Sequence, residues 1–185
     1  MNTLLVIASI CIITQLFDLK SLLEFNRTAI ENGQIYRLIT AHLVHQNTNH
    51  LLLNLAGLTV LILLFSDYCT NSQQLILFLV CGFVISLSIL IFSDLEVYLG
   101  LSGCLHGIFA WGVCQDVKKK RKSGWVLAIG LIIKIIYEQF FYQPGTTEKL
   151  IEISVAVDAH LWGAIAGVIF VYISLLLKRD IFSRN

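Results

Sequence analysis

Six apolar runs constrain this chain more than anything else in it: residues 3–17, 51–65, 75–92, 103–117, 124–141 and 155–177. Several are shorter than the roughly 20 residues that span a bilayer upright, although adjoining polar residues can extend them. Hydrophobic residues make up 57% of the 185 positions and charged residues 14%, against about 25% charged in an ordinary soluble domain. Because hydrocarbon leaves no backbone group unpaired, such runs are expected to be helices. The expected architecture is an all-α polytopic membrane protein with six transmembrane helices, forming one domain over 1–185. One proline and a net charge of +1 leave no Pro-rich linker and no broad basic surface for nucleic acid.

Cys11, Cys69, Cys81, Cys104 and Cys114 lie in or beside the apolar runs and include no C-x-x-C pair. They read as small packing residues rather than a disulfide framework or a thiolate zinc site. The first run has no basic n-region and no small-residue cleavage site, so it is expected to stay as an uncleaved span.

Basic residues beside spans are retained on the cytoplasmic side. Lys118, Lys119, Lys120, Arg121 and Lys122 between the fourth and fifth runs are the strongest such signal, joined by Lys178, Arg179 and Arg184 after the sixth. Both termini are therefore expected in the cytoplasm and the 18–49 loop outside. Lys20, Arg27 and Arg37 in that loop argue the other way and are outweighed by the five-residue cluster.

At about 1.5 Å of rise per residue, Ser102 stands about 24 Å above Lys118, His160 about 27 Å above Lys178, and His50 about 25 Å above Asp67. Three helices thus bring polar side chains to one level, several ångströms below the outer surface. Asn54 lies one turn deeper than His50 on the same helix face. A single intramembrane His or Asn can be interhelical hydrogen-bond glue worth about 1 kcal/mol. Several at one depth mark a site.

Gly103 and Gly107 beside Ser102, and Gly163 and Gly167 after His160, form small-xxx-small patterns of close helix contact. If these glycines pack the fourth and sixth helices together, Ser102 Oγ comes within hydrogen-bond reach of His160, the base that a weakly nucleophilic serine needs. No carboxylate stands ready beside that histidine. Asp158 is two residues away and on another helix face, and Asp116 is at the opposite membrane edge. A Ser-His dyad is the simpler arrangement. The soluble G-x-S-x-G elbow is not matched, because Cys104 replaces its second glycine and no strand is expected before it. Donors for a developing oxyanion are the first amides of a helix beginning near Ser102, together with His50 and Asn54.

These residues carry a resemblance. Gly100-Leu101-Ser102-Gly103 resembles the G-x-S-G motif of the rhomboid intramembrane serine proteases, and Ala159-His160 with Gly163 and Gly167 resembles their sixth-helix histidine motif. His45, His50 and Asn54 follow the family's H-x4-H-x3-N pattern, and Tyr36-Arg37 resembles its aromatic-arginine pair in the first external loop. The resemblance implies a cofactor-independent, rhomboid-like bundle of six spans. Ser102 would be the nucleophile, His160 the base, and His50, Asn54 and the Ser102 amide the oxyanion hole. The Tyr36-Arg37 loop would be a structural element in the outer leaflet; otherwise the pair reads as an interfacial aromatic and a snorkelling arginine. Implied partners are transmembrane protein substrates and membrane lipid in a bacterial inner membrane, with no oligomeric state specified.

Many rhomboids carry a tyrosine that stacks on the catalytic histidine where this chain has His106, which would either stack similarly or alter the base's titration. The compact form and the string G-L-S-G-C-L-H-G resemble the rhombosortase branch, whose implied substrates are surface proteins ending in a Gly-Gly motif, a transmembrane segment and a basic tail. Two other readings remain. One is a metal- or haem-binding membrane protein using His42, His45, His50, His106 and His160, with His42 and His45 otherwise interfacial; no H-E-x-x-H motif is present. The other is an inactive relative that binds transmembrane segments, against which Ser102 and His160 argue.

Overall fold

A computed structural model describes residues 3–176. Its six long helices fall on the six apolar runs: α1 (Thr3–Leu16), α2 (Thr48–Phe65), α3 (Asn71–Phe92), α4 (Ser102–Lys118), α5 (Lys122–Phe140) and α6 (Val157–Leu176). Leu177, Lys178, Arg179 and Arg184 lie outside the described residues. Capping explains why two helices begin before their apolar runs. At α2, Asn47 Oδ1 accepts the His50 N–H at 2.9 Å. At α3, Thr70 and Gln73 cap each other reciprocally.

Among the described residues four helices, α2, α3, α5 and α6, are long and apolar enough to cross a membrane. The chain is thus an all-α polytopic membrane protein. At 14 and 17 residues, α1 and α4 are shorter. Helix α4 packs against α2, α3, α5 and α6, so it meets protein rather than lipid over most of its length. Protein contact on most sides lets it carry Gln115 and Asp116 in buried positions.

The glycine contact expected between the fourth and sixth runs is present. A Cβ at Gly163 would lie 2.0 Å from the Gly103 carbonyl oxygen, and one at Gly167 would lie 2.1 Å from that of Gly107. Backbone therefore meets backbone along the α4–α6 seam, and this approach sets the Ser102 to His160 distance.

The segment between α1 and α2 is ordered into four short helical turns and one strand. Strand β1 (Phe25–Asn26) pairs antiparallel with β2 (Val97–Tyr98), so a short strand does precede Ser102, contrary to expectation from the sequence. Two residues of local pairing leave no hydrophobic alternation to detect. The loop arginines are committed inside the protein. Arg27 donates to the carbonyls of Leu90 at 2.8 Å and Ile89 at 3.0 Å, satisfying the open C-terminal end of α3. Arg37 does not snorkel. It is buried and donates to the carbonyls of Ser21 at 3.1 Å and Glu24 at 2.7 Å and to Gln34 Oε1 at 2.8 Å.

Candidate active site

Ser102 is the first residue of α4, and the turn before it depends on Gly100. The φ of Gly100 is +119°, and a Cβ there would lie 2.8 Å from the His50 ring. Glycine is thus needed both for the backbone and for the space. Leu105 N–H makes the helical bond to Leu101 O at 3.0 Å, so the amides before it have no i−4 partner within the helix.

Ser102 Oγ lies 3.0 Å from His160 Nε2. On the other side of the ring, His160 Nδ1 lies 3.0 and 3.1 Å from the two oxygens of Glu138. An ionised carboxylate only accepts, so Nδ1 carries the proton and Nε2 presents its lone pair to the serine hydroxyl. Glu138 is a buried residue of α5 and also takes a contact from Lys134, one turn earlier. The sequence points to a dyad, whereas the structure brings a carboxylate to the histidine from a helix adjacent in space. Asp158 and Asp116 stay away from His160, as the sequence predicts. Asp158 accepts from Ser93 Oγ at 3.3 Å, and Asp116 accepts from Tyr68.

His106, one turn after Ser102, stacks on His160 with ring centroids 4.0 Å apart and planes 17° from parallel. Its Nδ1 lies 2.8 Å from the Ser102 carbonyl oxygen; a carbonyl only accepts, so Nδ1 holds the proton. Two contacts therefore fix this ring, one to the His160 imidazole and one to the Ser102 backbone.

His50 and Asn54 line the same cavity as Ser102 and His160, a space of about 610 Å³. His50 Nδ1 accepts the Gln46 amide at 3.4 Å, which leaves the proton on Nε2 as a donor. Asn54 Nδ2 donates to the His50 carbonyl at 3.1 Å, and its second N–H remains for another acceptor.

His42 and His45 are buried, 0% and 2% exposed, rather than interfacial. His42 Nε2 lies 2.9 Å from the Gly82 carbonyl oxygen and Nδ1 lies 3.3 Å from Tyr98 Oη, which locks the loop onto α3 and β2. His45 packs edge-on against His50 at 5.0 Å. Burial pushes His42 down to about 4 and His45, helped by the neighbouring His50, down to about 3. The five histidines do not converge on one centre. Among the described residues, His106, Glu138 and His160 bring side-chain donor atoms within 4.8 Å of one another, with the two rings stacked rather than turned toward a common point.

Ser102, His160, His50 and Asn54, each placed near this level by the sequence, thus border one cavity. Glu138 is the residue that sequence reasoning missed, and a signal for it exists. At about 1.5 Å per residue it stands about 24 Å above Lys122, level with Ser102, and it is an ionisable residue in an apolar run.

A model of the Rhomboid domain family matches residues 32–177. The chain belongs to the rhomboid family. Rhomboid proteins are generally intramembrane serine proteases that act on transmembrane substrates. The match covers every polar residue that borders the cavity in this rhomboid. A search of curated proteins returns no match.

Proposed function

We propose that this rhomboid is an intramembrane serine endopeptidase that cleaves membrane-anchored proteins within or beside their transmembrane segments. The observation that carries the reading is the 3.0 Å approach of Ser102 Oγ to His160 Nε2, with Glu138 holding the opposite ring nitrogen. Ser102 Oγ attacks the scissile carbonyl while its proton passes to His160 Nε2. Glu138 fixes the tautomer and stabilises the imidazolium that forms; it does not take the proton itself. The tetrahedral oxyanion is met by His50 Nε2–H, the free Asn54 N–H and the Ser102 amide. Collapse breaks the C–N bond, and the leaving amine takes the proton from His160. Water then attacks the acyl-enzyme with His160 again as base, releasing the new carboxyl group and restoring Ser102.

All six long helices are read as spans, both termini as cytoplasmic, and the site as opening near the outer face of a bacterial inner membrane. The basic run Lys118–Lys122 supports that orientation. The string G-L-S-G-C-L-H-G supports the rhombosortase branch, and with it substrates that carry a C-terminal Gly-Gly motif before their transmembrane segment. No cofactor takes part in these steps.

The test is cleavage of a Gly-Gly-tailed transmembrane substrate by the purified protein in vesicles, compared with Ser102→Ala. Cleavage is expected to disappear in the variant, and labelling by a serine-directed phosphonate to disappear with it. Undiminished cleavage by folded Ser102→Ala would overturn the reading.

A further inference from the structure

Among the described residues that line the catalytic cavity, Lys134 is the cation that the cleavage steps above leave without a part. It lies on α5, one turn before Glu138, and its ammonium contacts Glu138 Oε1. Lys134 also borders a second cavity of about 610 Å³ between α2, α4 and α5, whose walls include Val60, Leu61, Phe109, Val126, Leu127 and Leu131. These side chains offer an ammonium no acceptor, so the charge turns to Glu138. An ionisable residue within a span is costly and is retained where a partner or a function holds it. Helix support alone does not explain the pair, because the more stabilising order places Glu four residues before Lys, and here the order is reversed.

The contact does explain how Glu138 stays ionised. Its side chain is 8% exposed, and a carboxylate so buried is neutral unless a counter-charge offsets its lost hydration. The groups that face it are the His160 imidazole on α6 and Lys134 on its own helix. His106 of α4 is stacked on His160 and committed to the Ser102 carbonyl. A neutral imidazole brings a hydrogen bond but no charge, which leaves Lys134 as the counter-ion. Without it, the Glu138–His160 pair takes one further proton from water. Held on Glu138, that proton gives a carboxyl group whose O–H donates to Nδ1, with the ring proton on Nε2. Held on His160, it gives an imidazolium with both nitrogens protonated. In both arrangements Nε2 carries a proton and cannot accept the one from Ser102.

We propose that Lys134 is a positioning residue whose ammonium keeps Glu138 ionised and thereby keeps His160 Nε2 free to receive the Ser102 proton. The kinetic part of this proposal rests on the protease reading above, whereas the ring-protonation part does not.

Ring protonation is read by nitrogen NMR of the full-length protein in detergent with isotope-labelled histidine rings, His160 being assigned by the signal lost in His160→Ala. At neutral pH the wild-type Nε2 is expected to be unprotonated. In Lys134→Met, which keeps the apolar stem and removes the charge, it is expected to be protonated, and Lys134→Arg is expected to return the wild-type signal. Thermal unfolding checks that each variant is folded, with Lys134→Gln as a second uncharged variant. Failure of both uncharged variants to fold would make the ammonium a structural charge and overturn the proposal. In vesicles, Lys134→Met is expected to lower kcat at least about tenfold, and no further than Glu138→Gln does, with KM nearly unchanged. Lys134→Arg is expected to recover most of that loss. In the Glu138→Gln background Lys134→Met is expected to lower kcat no further, because the carboxylate it acts through is gone. Unchanged ring protonation in a folded uncharged variant overturns the proposal and leaves the protease reading standing, as do additive losses in the double variant. A rise in KM with kcat preserved assigns Lys134 to substrate binding instead. A protein that shows the expected ring response but cleaves no substrate keeps the hold of Lys134 on the ring and removes the protease reading.

Discussion

Glu138 of α5 and His160 of α6, 22 residues apart in sequence, meet with 3.0 Å between a carboxylate oxygen and Nδ1. The contact decides which ring nitrogen carries the proton, and therefore whether Nε2 can serve Ser102. Glu138→Gln is expected to lower kcat by roughly 10²- to 10⁴-fold, because the amide can present N–H to Nδ1 and favour the wrong tautomer. KM should move little, since Glu138 reaches the substrate only through His160. Steady-state kinetics in vesicles separate the two constants. A variant with unaltered kcat would return the mechanism to a dyad.

The donors on α2 give a second expectation. His50→Ala and Asn54→Ala should each reduce kcat by about 10²- to 10³-fold with KM nearly unchanged, as expected for contacts made to the transition state alone. Phosphonate labelling of Ser102 in the same variants tells loss of oxyanion donors from loss of the nucleophile. A rise in KM with kcat preserved would assign the pair to substrate binding.

The α4–α6 seam leaves no room for a side chain. Gly163→Ala puts a methyl group where 2.0 Å separates it from the Gly103 carbonyl oxygen, so α6 must move away. Roughly 1–3 kcal/mol of stability should be lost, with activity falling further as His160 withdraws from Ser102. Gly130→Ala is the matched control, because nothing lies within 4 Å of its added Cβ. Thermal unfolding of the two variants side by side gives the comparison.

Stability should also depend on pH through the loop histidines. His42 and His45 are held neutral by burial, near 4 and 3, but titrate near 6.5 in the unfolded chain. As pH falls below about 6.5 the unfolded chain takes up protons that the folded protein refuses, so stability declines until the folded values are reached. At pH 5 the loss is about 2 kcal/mol for each ring. Unfolding curves at pH 7.5 and pH 5 should therefore differ, and His42→Gln should narrow the gap. Equal stability at both pH values would mean that these rings do not titrate on unfolding.

Much of this was legible in the residues themselves. Helix positions follow from hydropathy, and the levels of Ser102, His50 and His160 follow from helical rise, because both are properties of one segment at a time. The glycine seam was readable for the same reason, as Gly103, Gly107, Gly163 and Gly167 each mark a face. What escaped depended on which helices lie side by side. Nothing local says that α5 turns Glu138 toward α6 rather than toward lipid, although its depth was computable. Arg27 and Arg37 likewise look like snorkelling charges until the carbonyls that receive them are known. The two-residue pairing of β1 and β2 has no periodic signature at all.

That pairing has a further consequence. Phe25 sits opposite Tyr98, the Gly100 amide donates to the Ala41 carbonyl at 3.0 Å, and Arg27 clamps the end of α3. The segment leading into Ser102 is thus fastened at both ends to a loop that supplies none of Ser102, His160 and Glu138. That loop acts as a jig: an insertion of one residue between Phe25 and Ala41 would shift the gauge between its two fastenings. Ser102 would then be mis-set from outside the cavity while every residue lining it kept its identity.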